Sequence, residues 1–270
     1  MGMANGRKSI FITGAASGIG RATALLFAEK GWFVGAYDRN ADLLATLERE
    51  IGADHCVTGV LDVTDRAAFA AALKAFAAAA GGRLDVFYSN AGIGKGGPFI
   101  DQPWEDVVDL VDINLLAVLS GVHLALPYLK ATPNSLVFST SSSSATYGMG
   151  GIAVYSATKH AVKGFTEALA VELKALGIRV ADTLPGLIDT PILPPGTAEA
   201  AEREGMWRLM PPRAVAEAVW SAYHEDKIHW YVPPELIEFD KLATAAPEAV
   251  RDQMAASLAA RGGFSLPSEG

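Results

Sequence analysis

Short apolar runs alternate with longer amphipathic segments along most of the chain. The runs Ser9–Thr13, Phe33–Tyr37, His55–Val60, Leu84–Ser89, Ser135–Thr140 and Ile178–Thr183 are rich in β-branched and aromatic residues. They are apolar nearly throughout, as parallel strands buried on both faces should be. Between them the composition turns to Ala, Leu and Glu, and helices are predicted over residues 18–30, 41–51, 65–80, 104–130 and 153–176. Strand and helix in strict alternation predict βαβ units in a doubly wound parallel sheet, the middle of a three-layer αβα sandwich. The Ala-rich stretch 67–80 looks low in complexity, but Phe69, Leu73 and Phe76 recur at helical spacing, which makes it an amphipathic helix.

The rhythm breaks between Pro191 and Pro212, where five prolines frame a short helix-prone piece. Long excursions of this kind in compact domains serve as lids or binding loops, and a lid is expected over about 189–212. The alternation then resumes with a helix near 212–225, a strand at His229–Val232 and a helical tail over about 235–270 whose last helix lies near 247–261. No linker-like composition interrupts the chain, so residues 1–270 are expected to form one domain.

Composition narrows the function. Half of the 270 residues are apolar and 19% are charged, ordinary for a globular protein, and the net charge of −8 argues against a nucleic-acid surface. Cys56 is the only cysteine, so neither an internal disulfide nor a cysteine metal cluster can form. The five histidines show no H-E-x-x-H or related ligand spacing, and no metal is expected. The apolar run near the N-terminus is too short for a signal-peptide core, and no stretch was expected to approach the roughly 20 apolar residues of a membrane span. The expected location is cytoplasmic, with no membrane partner.

The first run leads into Thr13-Gly14-Ala15-Ala16-Ser17-Gly18-Ile19-Gly20, and a helix follows. Glycines permit a tight turn and a close backbone approach, and the free N–H groups of a helix start attract an anion. The spacing is G-x3-G-x-G, not the G-x-G-x-x-G of the usual dinucleotide fingerprint. Asp38 ends the second run 18 residues after Gly20, near the offset of a ribose-binding acid. A carboxylate there accepts ribose hydroxyls and repels a 2′-phosphate, which favours NAD over NADP. Arg39 pulls the other way, but Ala15, Ala16 and Ser17 add no basic group. Tyr155 and Lys159 stand one helical turn apart, on one face. A fixed cation stabilises a phenolate, so the pair is a candidate general acid/base for alcohol–ketone interconversion. The Ser139–Ser144 run ends the fifth strand, at the sheet edge where ligands bind in open α/β folds.

Taken in order, Thr13-Gly14-x3-Gly18-x-Gly20, Asn90-Ala91-Gly92, Asn114, a serine near 142, Tyr155-x3-Lys159 and Pro185-Gly186 resemble the classical short-chain dehydrogenases/reductases over about residues 7–190. The resemblance implies a Rossmann-like domain with Tyr155 as acid/base, Lys159 lowering its pKa and binding the nicotinamide ribose, and Ser142 holding the substrate oxygen. It implies a water held by Asn114, adenine contacts from Asp62-Val63, and cofactor support from Asn90-Ala91-Gly92. Pro185-Gly186 through Thr190 would pack at the nicotinamide, with the Ile188 backbone meeting its carboxamide. Ser17 and Ile19 join the phosphate turn, and Asp38 and Arg39 the adenosine ribose. The family's serine stands 13 residues before the tyrosine, which selects Ser142; a slip of one residue would select Ser141.

The expected substrate is an alcohol or ketone, apolar or aromatic, under the Pro191–Pro212 segment with its Ile192, Leu193, Met206, Trp207, Leu209 and Met210; Lys95 stands ready for an anionic group instead. A homodimer or homotetramer is expected through helices 104–130 and 153–176. The last run, Ile228–Val232, lacks the glycine-rich end common in tetrameric members. Two rivals remain: a cofactor-sensing module without catalysis, and an epimerase or dehydratase that uses NAD transiently.

Overall fold

The computed structural model describes residues 6–260. Seven parallel strands form one sheet: β1 (Ser9–Thr13), β2 (Phe33–Asp38), β3 (Cys56–Val60), β4 (Val86–Ser89), β5 (Leu136–Thr140), β6 (Arg179–Pro185) and β7 (His229–Val232). Their order is β3-β2-β1-β4-β5-β6-β7. The winding direction reverses between β1 and β4, so a crevice opens there at the carboxyl ends of the strands.

The helices are α1 (Gly18–Glu29), α2 (Ala41–Ile51), α3 (Arg66–Ala79), α4 (Trp104–Val111), α5 (Ala117–Lys130), α6 (Ala153–Lys174), the short α7 (Thr197–Ala200), α8 (Pro212–His224), α9 (Leu236–Ala245) and α10 (Pro247–Ala260). Alternate strand residues feed two cores. Ile10, Ile12, Val34, Ala36, Val86, Tyr88 and Phe138 pack under α1, α2 and α8. Phe11, Phe33, Tyr37, Phe87 and Val137 pack under α3, α5 and α6. The side-chain period of two along each strand is thus what separates the layers.

Most expected elements appear within a residue or two. The expected helix 104–130 differs: α4 and α5 are joined by a π turn, Asp112–Leu116, in which the Ala117 N–H reaches back to the Asp112 carbonyl. This run, Trp104–Lys130, is also long and apolar enough by length and composition to cross a membrane, contrary to expectation. In this fold its Val122, Ala125 and Leu129 are core residues of the sheet. The helical tail resolves into α9 and α10, and its expected last ten residues lie outside the described ones.

Candidate active site

The turn after β1 is shaped by what glycine lacks. A Cβ on Gly20 would lie 2.1 Å from the Gly14 carbonyl oxygen, and Gly14 itself has φ +66° with Ala91 Cα 2.8 Å from its virtual Cβ. Neither position admits a side chain. Ser17 is the N-cap of α1 but its hydroxyl makes no capping bond, and no acidic residue stands in the first turn. The start of α1 therefore keeps free N–H groups and the positive end of its dipole at the crevice. This cradle fits a pyrophosphate.

Hydrogen bonds tie the cradle to its neighbours. Asp38 Oδ2 accepts from Ala16 N–H at 3.1 Å and Oδ1 from Asn40 N–H at 2.9 Å. The Thr13 hydroxyl accepts from the Asn90 and Ala91 N–H groups, while Asn90 Nδ2 donates to the Thr13 and Gly14 carbonyls. Asn90 Oδ1 accepts in turn from Thr140 Oγ1, which also bonds the Tyr88 hydroxyl at 2.8 Å. Val63 and Ala91 line one small recess with Ile113 and Thr13. The Asp62 carboxylate accepts from the Thr64 N–H and hydroxyl, which hold its pKa low, with a smaller push from the Arg39 charge.

On the other bank of the crevice, Lys159 is 4% exposed. Its ammonium donates to the Thr140 carbonyl at 2.9 Å and lies 5.5 Å from the centre of the Tyr155 ring. Burial pulls its pKa down to about 8. Tyr155 is raised above its ordinary value by desolvation, and the hydrogen bond from Ser142 works against that rise. The expected lowering of the Tyr155 pKa by Lys159 is not observed: desolvation of the phenol sets the direction, with Ser142 alone working against it. The two candidate serines separate clearly. Ser141 Oγ donates to the Lys159 main-chain carbonyl at 2.9 Å and is spent on α6, whereas Ser142 faces the tyrosine.

Asn114 sits fully buried in the π turn. Its side chain accepts from Ile93 N–H and donates to the Ile93 carbonyl, both at 2.9 Å. The amide is committed to that loop, so a water linked to Lys159 would have to rest on the Asn114 main chain. A Cβ on Gly92 would lie 3.2 Å from Asn114 Oδ1 and 3.8 Å from Lys159 Nζ, so the glycine lets the two come side by side.

Past β6, Gly186 N–H bonds the Val232 carbonyl, and Met210 pairs with its neighbours through Met210 N–H to Leu187 and Asp189 N–H to Met210. That bridge turns the Ile188 N–H away from Met210. Thr190 stands over the cradle, its Cγ2 3.0 Å from a virtual Cβ on Gly18. Lys95 is not ready for an anion as expected: it is paired with Asp106 at 2.6 Å and Asp109 at 2.8 Å.

Ile113, which lines the recess with Val63 and Ala91, has only its place beside Asn114 as a signal in the sequence. Thr140 and Tyr88 carried no such signal, because their bonding depends on strand register.

Residues 8–200 match the short chain dehydrogenase family. The chain belongs to that family. It is 36% identical over 218 residues to a 3-oxoacyl-[acyl-carrier-protein] reductase of Thermotoga maritima, covering 78% of this chain and 88% of the relative. It is 38% identical over 230 residues to a cis-4-hydroxycyclohexanecarboxylate dehydrogenase of Sinomonas cyclohexanicum, covering 81% and 90%. Among solved structures, a 3-ketoacyl-(acyl-carrier-protein) reductase from Brucella melitensis complexed with NADH superposes with a TM-score of 0.76 at 28% identity, over 83% of this chain and 96% of that one. The chain is therefore an oxidoreductase of the short-chain dehydrogenase type, with the nucleotide-binding Rossmann-like fold that the family shares.

Proposed function

We propose that this enzyme interconverts a neutral, ring-bearing secondary alcohol and its ketone with NAD(H), as a cytoplasmic homo-oligomer. The observation that carries the chemistry is the buried Lys159 ammonium, held by the Thr140 carbonyl and 5.5 Å from the centre of the Tyr155 ring, with Ser142 on the adjoining loop. Tyr155 Oη takes the proton from the alcohol in oxidation and returns it in reduction. Ser142 Oγ holds the substrate oxygen against Tyr155. Lys159 stabilises the phenolate and is fixed for that role by Thr140 and, through its own carbonyl, by Ser141. Asn114 acts by pinning Ile93, and its main-chain carbonyl would hold the water that relays protons between Lys159 and solvent.

The cofactor would lie with its pyrophosphate on Gly14, Ser17, Gly18, Ile19 and Gly20, its adenine between Asp62-Val63 and Asn90-Ala91-Gly92, and its nicotinamide near Pro185, Gly186, Ile188 and Thr190. When bound, it supplies the hydride acceptor or donor. Asp38 supports NAD over NADP, because a carboxylate at the ribose disfavours a 2′-phosphate; Arg39 is exposed and its charge is shared with Asp62.

The substrate class rests on two points. The paired Lys95 leaves no free cation on the 93–97 loop for an anionic head. The Sinomonas relative is named for a cyclohexane-ring alcohol that also bears a carboxylate, so it supports the ring and not the neutrality, which rests on Lys95 alone. Oligomerisation is supported by the outer face of α4–α5 and α6, where Trp104, Leu116 and Val171 are 69%, 51% and 78% exposed.

A panel of cyclic and linear secondary alcohols, read by NADH absorbance with NAD and NADP in parallel, tests the reading. Turnover of cyclic alcohols with NAD preferred is expected. Preference for NADP would overturn the role given to Asp38, and tight NAD binding without turnover of any alcohol or ketone would favour a cofactor-sensing module.

A further inference from the structure

The mouth of the crevice is bounded by a closed circuit of contacts, and one side of it is the C-terminal helical pair. Starting at the loop after β4, a Cβ on Gly94 would lie 3.1 Å from Ile192 Cγ1, so the loop meets the 189–212 segment. That segment meets α9: the Trp207 and Phe239 rings stand edge to face with centroids 5.1 Å apart, and Arg208 reaches Glu235 with both terminal nitrogens, at 3.2 and 3.4 Å. α9 runs into α10, whose Val250, Met254 and Leu258 are its more buried positions at a spacing of four. Leu258 Cδ2 is 3.8 Å from a virtual Cβ on Gly150, in the loop between Ser142 and Tyr155. The circuit closes where Gly97 N–H bonds the Gly151 carbonyl at 2.7 Å.

The pair is anchored rather than draped. Leu236 is fully buried and lies 3.1 Å from a virtual Cβ on Gly186, directly behind the Pro185-Gly186 turn. Asp240 of α9 holds both Lys163 of α6, at 2.9 Å, and the Tyr231 hydroxyl of β7. A rigid base with one apolar edge on the catalytic loop and an aromatic edge on the 189–212 segment is suited to setting how much space a substrate has.

We propose that α9 and α10 form the specificity-determining wall of the substrate site, with Leu258 limiting the size of the ring that fits beside Ser142 and Tyr155 and Phe239 holding the 189–212 segment through Trp207. The ligand it sets apart is a single six-membered ring alcohol against a fused bicyclic one. This inference rests on the dehydrogenase reading for its substrates, but not for its geometry.

The test uses the full chain with cyclohexanol and tetralol, which adds a fused aromatic ring, as probes. Leu258→Ala should raise the ratio of kcat/KM for tetralol to that for cyclohexanol by about tenfold, and Leu258→Trp should lower it similarly, as expected for a few methylene groups in an apolar pocket. NADH affinity, read by nicotinamide fluorescence, should stay within about twofold of the parent in both, since uniform cofactor binding is not touched. Phe239→Ala should speed amide hydrogen exchange in residues 191–212 by about tenfold, the scale of one lost aromatic pair. Leu258→Asp should do the same for residues 146–152.

An unchanged ratio in both Leu258 variants overturns the part given to α10, and unchanged exchange in Phe239→Ala overturns the part given to α9. If the parent enzyme oxidises neither alcohol with either cofactor, the ring-alcohol reading falls. The exchange measurements then decide the wall by themselves: faster exchange upholds it and unchanged exchange removes it.

Discussion

Lys159 carries a conflict between stability and chemistry. Its ammonium is buried and its pKa is pulled from 10.5 to about 8. A cation whose folded pKa is depressed opposes folding whenever it is protonated in the folded state. The cost is full below pH 8 and fades as pH rises from there toward the unfolded value, because over that window the unfolded chain binds more protons. The depression corresponds to about 2–4 kcal/mol, partly offset by the bond to Thr140. Lys159→Met is therefore expected to abolish turnover and yet raise the thermal midpoint of the cofactor-free protein at pH 7, with the advantage shrinking by pH 9.5; scanning calorimetry at the two pH values checks it. Tyr155→Phe should lower kcat by about 10²–10⁴, the range of a lost general acid/base, while NADH binding by fluorescence is retained. Because desolvation raises Tyr155, alcohol oxidation should still be climbing above pH 8. Asp38→Ser removes the carboxylate beside the ribose and leaves Arg39, so the ratio of kcat/KM for NAD to that for NADP should fall by at least about tenfold, a difference of about 1.4 kcal/mol.

Among the elements, the Gly-rich turn is the least tolerant. Gly20→Ala would place a methyl 2.1 Å from the Gly14 carbonyl, a contact that only backbone movement can relieve. Loss of NADH binding by at least about a hundredfold is expected by calorimetric titration, from a shifted turn and a lost approach to the anion. The turn, the strands and the Tyr155–Lys159 spacing were legible in the sequence because each depends on local periodicity or on residues a few positions apart. The spacing to Tyr155 already favoured Ser142 over Ser141, and the strand–helix packing adds a reason that spacing does not carry, since Ser141 lies under the Lys159 carbonyl. The π turn at Asn114 was equally hidden, since hydrophobic spacing reads straight through 104–130 while the extra residue per turn is set by the Ile93 loop. The pairing of Lys95 needed α4 folded back toward the 93–97 loop, a long-range arrangement no spacing rule encodes.

For the whole molecule, the helices that cover one face of the sheet carry exposed apolar residues on their outer side, Leu116 just before α5 and Val171 on α6. If two copies meet there, Leu116→Arg combined with Val171→Arg should convert dimers or tetramers to monomers in sedimentation velocity, because specific interfaces of roughly 800 Å² per partner do not tolerate buried unpaired charge. A folded, active monomer of the parent chain would sink that expectation. One quieter feature bears on how such motions and assemblies can be followed. Cys56 lies in β3 with its thiol buried and its pKa raised to about 11 by burial, with Glu48 adding to the rise. At neutral pH only about one thiol in ten thousand would be ionised, so alkylating reagents and mild oxidants should pass it by. The chain thus comes with a blank background for labelling: a cysteine introduced at an exposed position of α10 would be its sole reactive thiol, and a single dye there would report the helix's motion against the catalytic loop.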